Sequence, residues 1–197
     1  MGNRRVTAID LGGQVSVLAD ALEGRRFNSP NDLWVDPKGG IYFSDPRYGA
    51  DDDKEMDGDH VYYISPDRTE VRQVASDLVR PNGIIGTLNG NRIYVADHSE
   101  GRTYVYTPTA DGSLSDKRLF ATQGADGMTL DEMGNVYLTG QDITVYDPNG
   151  TQIVSIAVPE PPANLAFGGA DGTTLFITAR TSLYAVGMTV TGQWRRA

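Results

Sequence analysis

The chain alternates short apolar stretches with polar turns along almost its whole length. The apolar stretches are rich in Val, Ile, Tyr and Phe, as in IYFSD (41–45), RIYVAD (92–97) and NVYLTG (135–140). Turn-forming clusters such as DPKGG (36–40) and DPNG (147–150) separate them. No segment keeps a 3.6-residue apolar period, so the pattern predicts strands and no helix. The predicted fold class is all-β, which leaves a sandwich, a barrel or a propeller.

One longer pattern recurs four times and decides among these architectures. Each copy opens with Asn or Asp, continues through an apolar strand and a Gly-containing turn, and ends in a strand of the type [ILV]-[YF]-[FVLI]-[STA]. The copies are NDLWVDPKGGIYFSD (31–45), NGIIGTLNGNRIYVAD (82–97), DGMTLDEMGNVYLTG (126–140) and NLAFGGADGTTLFITA (164–179). Their spacing is close to the period of about 40–50 residues that four-stranded propeller blades have. The repeat therefore predicts a β-propeller, and we expect residues 1–197 to form a single domain.

The opening residue of each repeat is the first candidate for chemistry. The innermost strand of every blade lines the central channel, so equivalent positions form a ring around the axis. We therefore expect Asn31, Asn82, Asp126 and Asn164 to converge at one mouth of the channel. Their amide and carboxylate oxygens suit a hard cation such as Ca²⁺, Mg²⁺ or Mn²⁺. Taken alone, the residues leave one alternative open, which is that they only cap turns.

Composition narrows the classes of function. The sequence of 197 residues has no cysteine, which excludes disulfides, thiolate metal sites and cysteine nucleophiles. A net charge of −9 disfavours nucleic acids and anionic membranes as partners. No apolar run approaches the roughly 20 residues that a membrane-spanning helix needs. As the chain stands we expect a cytoplasmic location. A periplasmic or secreted one stays open, and so does the oligomeric state.

Four blocks in order resemble one known family, the gluconolactonase / senescence marker protein (regucalcin-like) family. The likeness covers essentially the whole chain, in the blocks NSPNDLWVDPKGGIYFSDPRYG (28–49), RPNGI (80–84), DGMTLDEMGNVYLTG (126–140) and PPANLAFGGADGTTLFITA (161–179). The resemblance implies a six-bladed β-propeller with one divalent metal in its channel, and hydrolysis of a small lactone substrate. It places metal ligands at Asn31, Asn82 and Asp126, three of the positions at which the repeats open.

The resemblance also suggests roles for the residues near that metal. The ion would polarise the lactone carbonyl and lower the pKa of a bound water. Asp126, the only charged ligand of the three, is the expected catalytic residue that orients or deprotonates this water. Ca²⁺ is the favoured ion, although the same oxygens accept Mg²⁺, Mn²⁺ or Zn²⁺. Further residues expected behind the ligands or in the pocket are Asp32, which would position the Asn31 amide, and Asn164, Arg47, Tyr48 and Arg180.

The chain departs from the family at one ligand. The family's first metal ligand, a Glu in an E-G-P-type block, has no counterpart, because Glu23 is followed by GRRF and lies just before the first repeat. We therefore expect roughly four to four and a half blades of an incomplete propeller that lacks the N-terminal third of the family domain. A four-bladed closure, in which the N-terminal strands complete the blade begun at 164, is the alternative.

The missing Glu also bears on function. Without it we expect weak metal binding and impaired hydrolysis. The alternative function is a non-catalytic propeller fragment or binding scaffold. Within the hydrolases, the alternative is an organophosphate (phosphotriester) hydrolase.

Overall fold

The computed structural model describes residues 3–193, and the apolar stretches of the sequence lie in its strands. Within that part of the chain there is no helix, and hence none long and apolar enough to cross a membrane. The strands are β1 (Val6–Ile9), β2 (Val15–Ala19), β3 (Ala21–Leu22), β4 (Arg25–Arg26), β5 (Leu33–Val35), β6 (Ile41–Asp45), β7 (His60–Ile64), β8 (Val71–Ala75), β9 (Pro81–Gly86), β10 (Ile93–Asp97), β11 (Arg102–Pro108), β12 (Leu114–Ala121), β13 (Met128–Leu130), β14 (Val136–Thr139), β15 (Ile143–Tyr146), β16 (Gln152–Ile156), β17 (Pro162–Gly168), β18 (Thr174–Ala179) and β19 (Leu183–Gly187).

Most of the strands form consecutive antiparallel sheets. Three sheets have four strands each, β5–β8, β9–β12 and β13–β16, and β17–β19 form a three-stranded sheet. The first strands of neighbouring sheets contact one another in the order β5, β9, β13 and β17. This is the arrangement of successive propeller blades whose inner strands stand side by side. The predicted all-β propeller is confirmed, with the four repeats as four successive blades.

The N-terminal strands pack on the first of these blades. β1 and β2 pair with each other, and Val6 and Ala19 join Phe27, Phe43 and Tyr62 in one buried cluster. In the described residues β17 is bonded to β18 and the sheet ends at β19. The N-terminal strands therefore do not complete the sheet begun at 164, as the four-bladed closure would require.

Apolar layers between adjacent sheets hold the blades together. Tyr42, Ile84 and Val95 belong to the layer between the first and second blades, and Leu130 and Leu138 to the next layer. All five side chains are almost completely buried. Each contributes about 1.5–3 kcal/mol to folding. The strands β6, β10 and β14, which are buried along their whole length, pair with the inner strands β5, β9 and β13, and the candidate site lies where these inner strands begin.

Candidate functional site

The four residues that open the repeats lie at the same end of adjacent inner strands. Asn31 and Asp126 each stand two residues before a strand, β5 and β13, whereas Asn82 and Asn164 lie in the first residues of β9 and β17. Asn82 is only 3% exposed, while the other three are exposed. The fold thus places one buried amide, that of Asn82, and three exposed polar side chains at the same end of the inner strands.

Glycines that follow two of these residues let the inner strands approach closely. A Cβ atom on Gly83 would lie 2.5 Å from the backbone oxygen of Asp126. A Cβ atom on Gly127 would lie 2.3 Å from Oδ1 of Asn164. Neither position has room for a side chain. The N-G and D-G pairs of the repeats therefore serve the close packing of neighbouring blades at the mouth.

The two polar atoms of the Asn82 side-chain amide differ, because the nitrogen is hydrogen-bonded and the oxygen is not. Its Nδ2 donates a hydrogen bond of 2.8 Å to the hydroxyl oxygen of Tyr48. Its Oδ1 is buried and has no hydrogen-bond partner among residues 3–193. A buried acceptor without a donor costs about 1–3 kcal/mol. An oxygen held in this way fits a cation ligand, since a hard cation satisfies an amide oxygen that no protein donor reaches.

Other donors at this mouth are consistent with an oxygen-only site. No group of three or more His, Cys, Asp and Glu side chains in the described part of the chain is arranged to hold a metal. The three predicted ligand positions offer two amide oxygens, of Asn31 and Asn82, and the carboxylate of Asp126 as donors. This donor set matches the hard cations that the sequence predicts.

Asp32 connects two blades through its carboxylate. Oδ1 accepts a hydrogen bond from the Leu33 N–H and Oδ2 accepts one from the Ile84 N–H, both at 2.9 Å. Burial raises the pKa of Asp32 above its ordinary value, and the nearby charge of Asp126 adds to this rise. Asp32 thus bonds to the backbone of β5 and β9 rather than to the side chain of Asn31.

Two buried aspartates hold the segments that precede the site residues. Asp45 accepts hydrogen bonds from the backbone N–H groups of Asn28 (2.7 Å) and Ser29 (2.6 Å). Asp97, at the equivalent position of the next blade, accepts them from Val79 (2.6 Å) and Arg80 (3.0 Å). Burial raises the pKa of Asp45 to about 6. These carboxylates fix the backbone three and two residues before Asn31 and Asn82.

Side-chain hydroxyl groups also accept hydrogen bonds from the backbone of the site segments. They belong to the Ser/Thr position directly before the one that Asp45 and Asp97 occupy in their repeats. The Thr139 Oγ1 accepts hydrogen bonds from the N–H groups of Asp126 (3.1 Å) and Gly127 (3.0 Å). The Ser44 Oγ accepts one from the N–H of Asp32 (3.2 Å). The final Ser/Thr of the [STA] position therefore holds the opening of its own repeat. The sequence pattern contains this position but does not reveal its role.

The side chains of Arg47 and Asn164, two further candidate residues, form hydrogen bonds within the protein. Arg47 is 7% exposed. Its guanidinium donates to the backbone oxygens of Ala50 (2.8 Å) and Asn28 (3.5 Å) and pairs with Asp53, so it connects its own loop with the segment before β5. The Asn164 Oδ1 accepts a hydrogen bond from the Leu165 N–H at 2.8 Å.

Arg180 and Tyr48 differ in exposure and in what they contact. Arg180 is exposed, and hydrogen bonds from Thr181 lower the pKa of Glu160, with the charge of Arg180 adding to this effect. Tyr48 lies beside Asn82, and burial raises the pKa of its hydroxyl, with the charge of Asp126 adding to the rise. Arg80, which the sequence patterns did not single out, places its guanidinium carbon 5.2 Å from the centre of the Tyr48 ring. Arg80 is the first residue of the block RPNGI (80–84), which also contains Asn82. Its place in that block is the only sequence feature that could have indicated a role at the site.

A cleft of about 970 Å³ lies at the other end of the inner strands. The turns 87–89, 131–134 and 169–172 line it, together with residues 191–193. None of the candidate site residues contributes to it. The cleft and the candidate site residues therefore lie at opposite ends of the inner strands.

The fold and this mouth define a β-propeller with oxygen donors gathered at one end of its inner strands. Residues 2–181 match the family described as SMP-30/Gluconolactonase/LRE-like region. The chain belongs to that family.

Individual relatives agree with this assignment. A gluconolactonase of Zymomonas mobilis is 32% identical over 207 residues, which cover 94% of this chain and 58% of the relative. A gluconolactonase structure from Xanthomonas campestris superposes with a TM-score of 0.84 at 29% identity, covering 98% of this chain and 66% of its own. A regucalcin of Agrobacterium tumefaciens, described as a calcium-binding protein, shares the fold with a TM-score of 0.80 at 20% identity, covering 98% and 72%. The chain thus spans 58% of the length of the Zymomonas relative.

Proposed function

We propose that this chain carries the metal and lactone site of a gluconolactonase-type hydrolase. Asn31, Asn82 and Asp126 would hold one divalent cation, with Ca²⁺ favoured, at the mouth of the inner strands. The observation that carries the proposal is the buried Oδ1 of Asn82, which has no partner within residues 3–193 while Nδ2 of the same amide is held by Tyr48. The substrate would be a sugar lactone or a similar small lactone.

The proposed reaction is hydrolysis of the ring ester. When bound, the cation supplies Lewis acidity toward the carbonyl and makes a water more acidic. Asp126 presents an exposed carboxylate at the mouth, where it orients the water and accepts its proton. The water oxygen bonds to the carbonyl carbon, the carbon–oxygen bond of the ring breaks, and the proton passes to the departing ring oxygen. The product is an open-chain hydroxy acid.

The relatives support the substrate class and the ion. The Zymomonas mobilis protein is a gluconolactonase, and a lactonohydrolase of Aspergillus oryzae is 24% identical over 89% of this chain and 46% of its own length. The Agrobacterium regucalcin is described as calcium-binding. The oxygen donors of the mouth have the chemistry that such an ion prefers. Opening of a sugar lactone at a Ca²⁺ site is therefore the function that these observations favour.

Acid release from D-glucono-1,5-lactone, corrected for spontaneous hydrolysis, tests the proposal. Activity is expected to disappear with EDTA and to return with Ca²⁺. The variant N82L should lose activity by at least the roughly 10–100-fold that residues behind metal ligands typically cost. N91A, which truncates an exposed asparagine in a turn, is the matched control and should behave as the wild type.

The possible results separate the candidate functions. Hydrolysis that is insensitive to EDTA would overturn the metal mechanism, and no hydrolysis at any Ca²⁺ concentration would favour a binding scaffold. Calorimetry with Ca²⁺ addresses the weak binding expected from the missing Glu, and tight one-to-one binding would contradict that expectation.

A further inference from the structure

Arg80 is a cation held in a fixed position beside the proposed site. Its guanidinium stacks over the Tyr48 ring at 5.2 Å, and Tyr48 in turn bonds to the Asn82 amide. Its Nε lies 3.7 Å from Oδ2 of Asp59. The backbone is fixed as well, since its N–H donates to Asp97 and its carbonyl oxygen accepts from the His98 N–H at 3.0 Å. Stacking and backbone bonds therefore place the guanidinium before any ligand arrives.

The charge of Arg80 is only partly compensated by its surroundings. Asp59 accepts a shorter contact of 2.8 Å from the Lys54 ammonium, so Arg80 shares that carboxylate at a longer distance. The Arg80 side chain is 40% exposed. No hydrogen bond from its two terminal amino groups to residues 3–193 is present, and its buried Nε also has none. A guanidinium with unused donors in a planar fork is suited to a carboxylate.

We propose that Arg80 binds the carboxylate of the open-chain hydroxy acid and so makes this mouth selective for that anion over neutral polyols. The inference rests on the proposed function, because hydrolysis of a lactone creates a carboxylate where the substrate had none. Arg80 then holds the product next to Asn82, and the reaction product competes with the lactone. Arg80 also gives this mouth a positive group in a chain whose net charge is −9.

Ligand binding measured in the presence of Ca²⁺ tests the proposal without requiring turnover. D-gluconate and the neutral polyol sorbitol are titrated into wild type, R80Q, R80K and R118Q. Wild type should bind gluconate more tightly than sorbitol, and R80Q should lose roughly 10–100-fold of gluconate affinity with little change for sorbitol. R80K keeps the charge but not the planar fork, so an intermediate loss is expected. R118Q removes an exposed charge from the outer strand β12 and should match the wild type.

Several results would overturn the inference. It fails if wild type does not prefer gluconate to sorbitol, if R80Q binds gluconate as the wild type does, or if R80Q loses Ca²⁺ affinity by the same factor, since the effect would then act through the ion. The lactone assay keeps the two proposals apart. Gluconate binding that depends on Arg80 without lactone hydrolysis would leave the inference standing and remove the proposed function. Hydrolysis without such binding would do the reverse.

Discussion

Asn82 and Tyr48 are joined by a hydrogen bond of 2.8 Å that runs from the amide Nδ2 to the phenol oxygen. This bond determines which way the amide faces, because it engages the only donor atom of the side chain. Oδ1 is left buried and without a partner in the described residues. The pair comes from two different blades, β9 and the loop after β6, so the orientation of the amide depends on how the blades pack.

Removal of the Tyr48 hydroxyl should weaken ion binding. In Y48F the Asn82 amide loses the partner that orients it, and Ca²⁺ affinity is expected to fall by roughly 10–100-fold, as is typical for residues that support metal ligands. Isothermal titration calorimetry with Ca²⁺ measures the change. Y104F is the control, since the Tyr104 hydroxyl donates to Glu100 on the surface at 2.7 Å. Equal Ca²⁺ affinities of Y48F and wild type would contradict the role given to Tyr48.

Asn82 and Asn28 should respond in opposite ways to replacement by Leu. N82L removes a buried acceptor that lacks a donor, so the metal-free protein should keep its free energy of unfolding or gain about 1 kcal/mol. The Asn28 Nδ2 donates to the backbone oxygens of Asp45 (3.1 Å) and Gly58 (2.8 Å), and N28L would remove both hydrogen bonds. N28L should lose about 3 kcal/mol or more. Denaturant unfolding in EDTA measures both values, and a large loss in N82L would mean that Asn82 is structural.

Thr139 should be essential for the local structure at Asp126. T139V removes the oxygen that accepts from the Asp126 and Gly127 N–H groups and leaves these donors unpaired. We expect a loss of about 2–4 kcal/mol in the free energy of unfolding, together with weaker Ca²⁺ binding. T139S keeps the hydroxyl and should recover most of both quantities. T139V keeps the methyl group of threonine, so a T139V variant with the stability and Ca²⁺ affinity of the wild type would show that these hydrogen bonds do not hold the segment.

The stability of the first blade should depend on pH through Asp45. Burial raises the pKa of Asp45 from 3.8 to about 6, so between these values the folded protein binds more protons than the unfolded chain. This contribution to stability is complete below about pH 3.8 and is lost as the pH rises through about 6. It amounts to about 3 kcal/mol at most, at 1.36 kcal/mol per pKa unit.

The variant D45N isolates that contribution. Denaturant unfolding of wild type and D45N between pH 4 and pH 7 gives the difference between their pH dependences. Wild type should lose stability relative to D45N as the pH rises over this range. Parallel curves for the two proteins would show that Asp45 does not titrate in the expected way.

The repeat in the sequence predicted the blades because strands and tight turns are determined largely by residues that are close to one another in the sequence. Short apolar runs and Gly turns mark β6, β10, β14 and β18 directly, and the Asn or Asp at or just before the start of each inner strand marks the mouth. The sheet that contains Asn164 has three strands, and the pairing of β1 with β2 was not decided by the pattern. Pairings between sequence-distant strands depend on packing that a periodicity does not contain.

The supporting contacts of the site could not be predicted for the same reason. Arg47 matched a family block, yet its guanidinium pairs with Asp53 of its own loop and donates to the Asn28 carbonyl oxygen, which lies nearby in space. Arg80 and the unpaired oxygen of Asn82 emerge only when two blades are placed together. Sequence spacing identified which residues open the strands, whereas the three-dimensional contacts identified which of their atoms remain available to a ligand.

Anomalous diffraction from crystals of the wild-type chain soaked with Mn²⁺, which takes the same oxygen ligands as Ca²⁺ and Mg²⁺, tests the proposed metal site most directly. We predict one strong peak at the mouth of the inner strands, in contact with Oδ1 of Asn82 and the carboxylate of Asp126. The same soak of N82L should lack that peak. A Mn²⁺ peak only elsewhere on the protein, or an Asn82 oxygen that contacts nothing but water at high Mn²⁺ concentration, would contradict a metal site at this mouth.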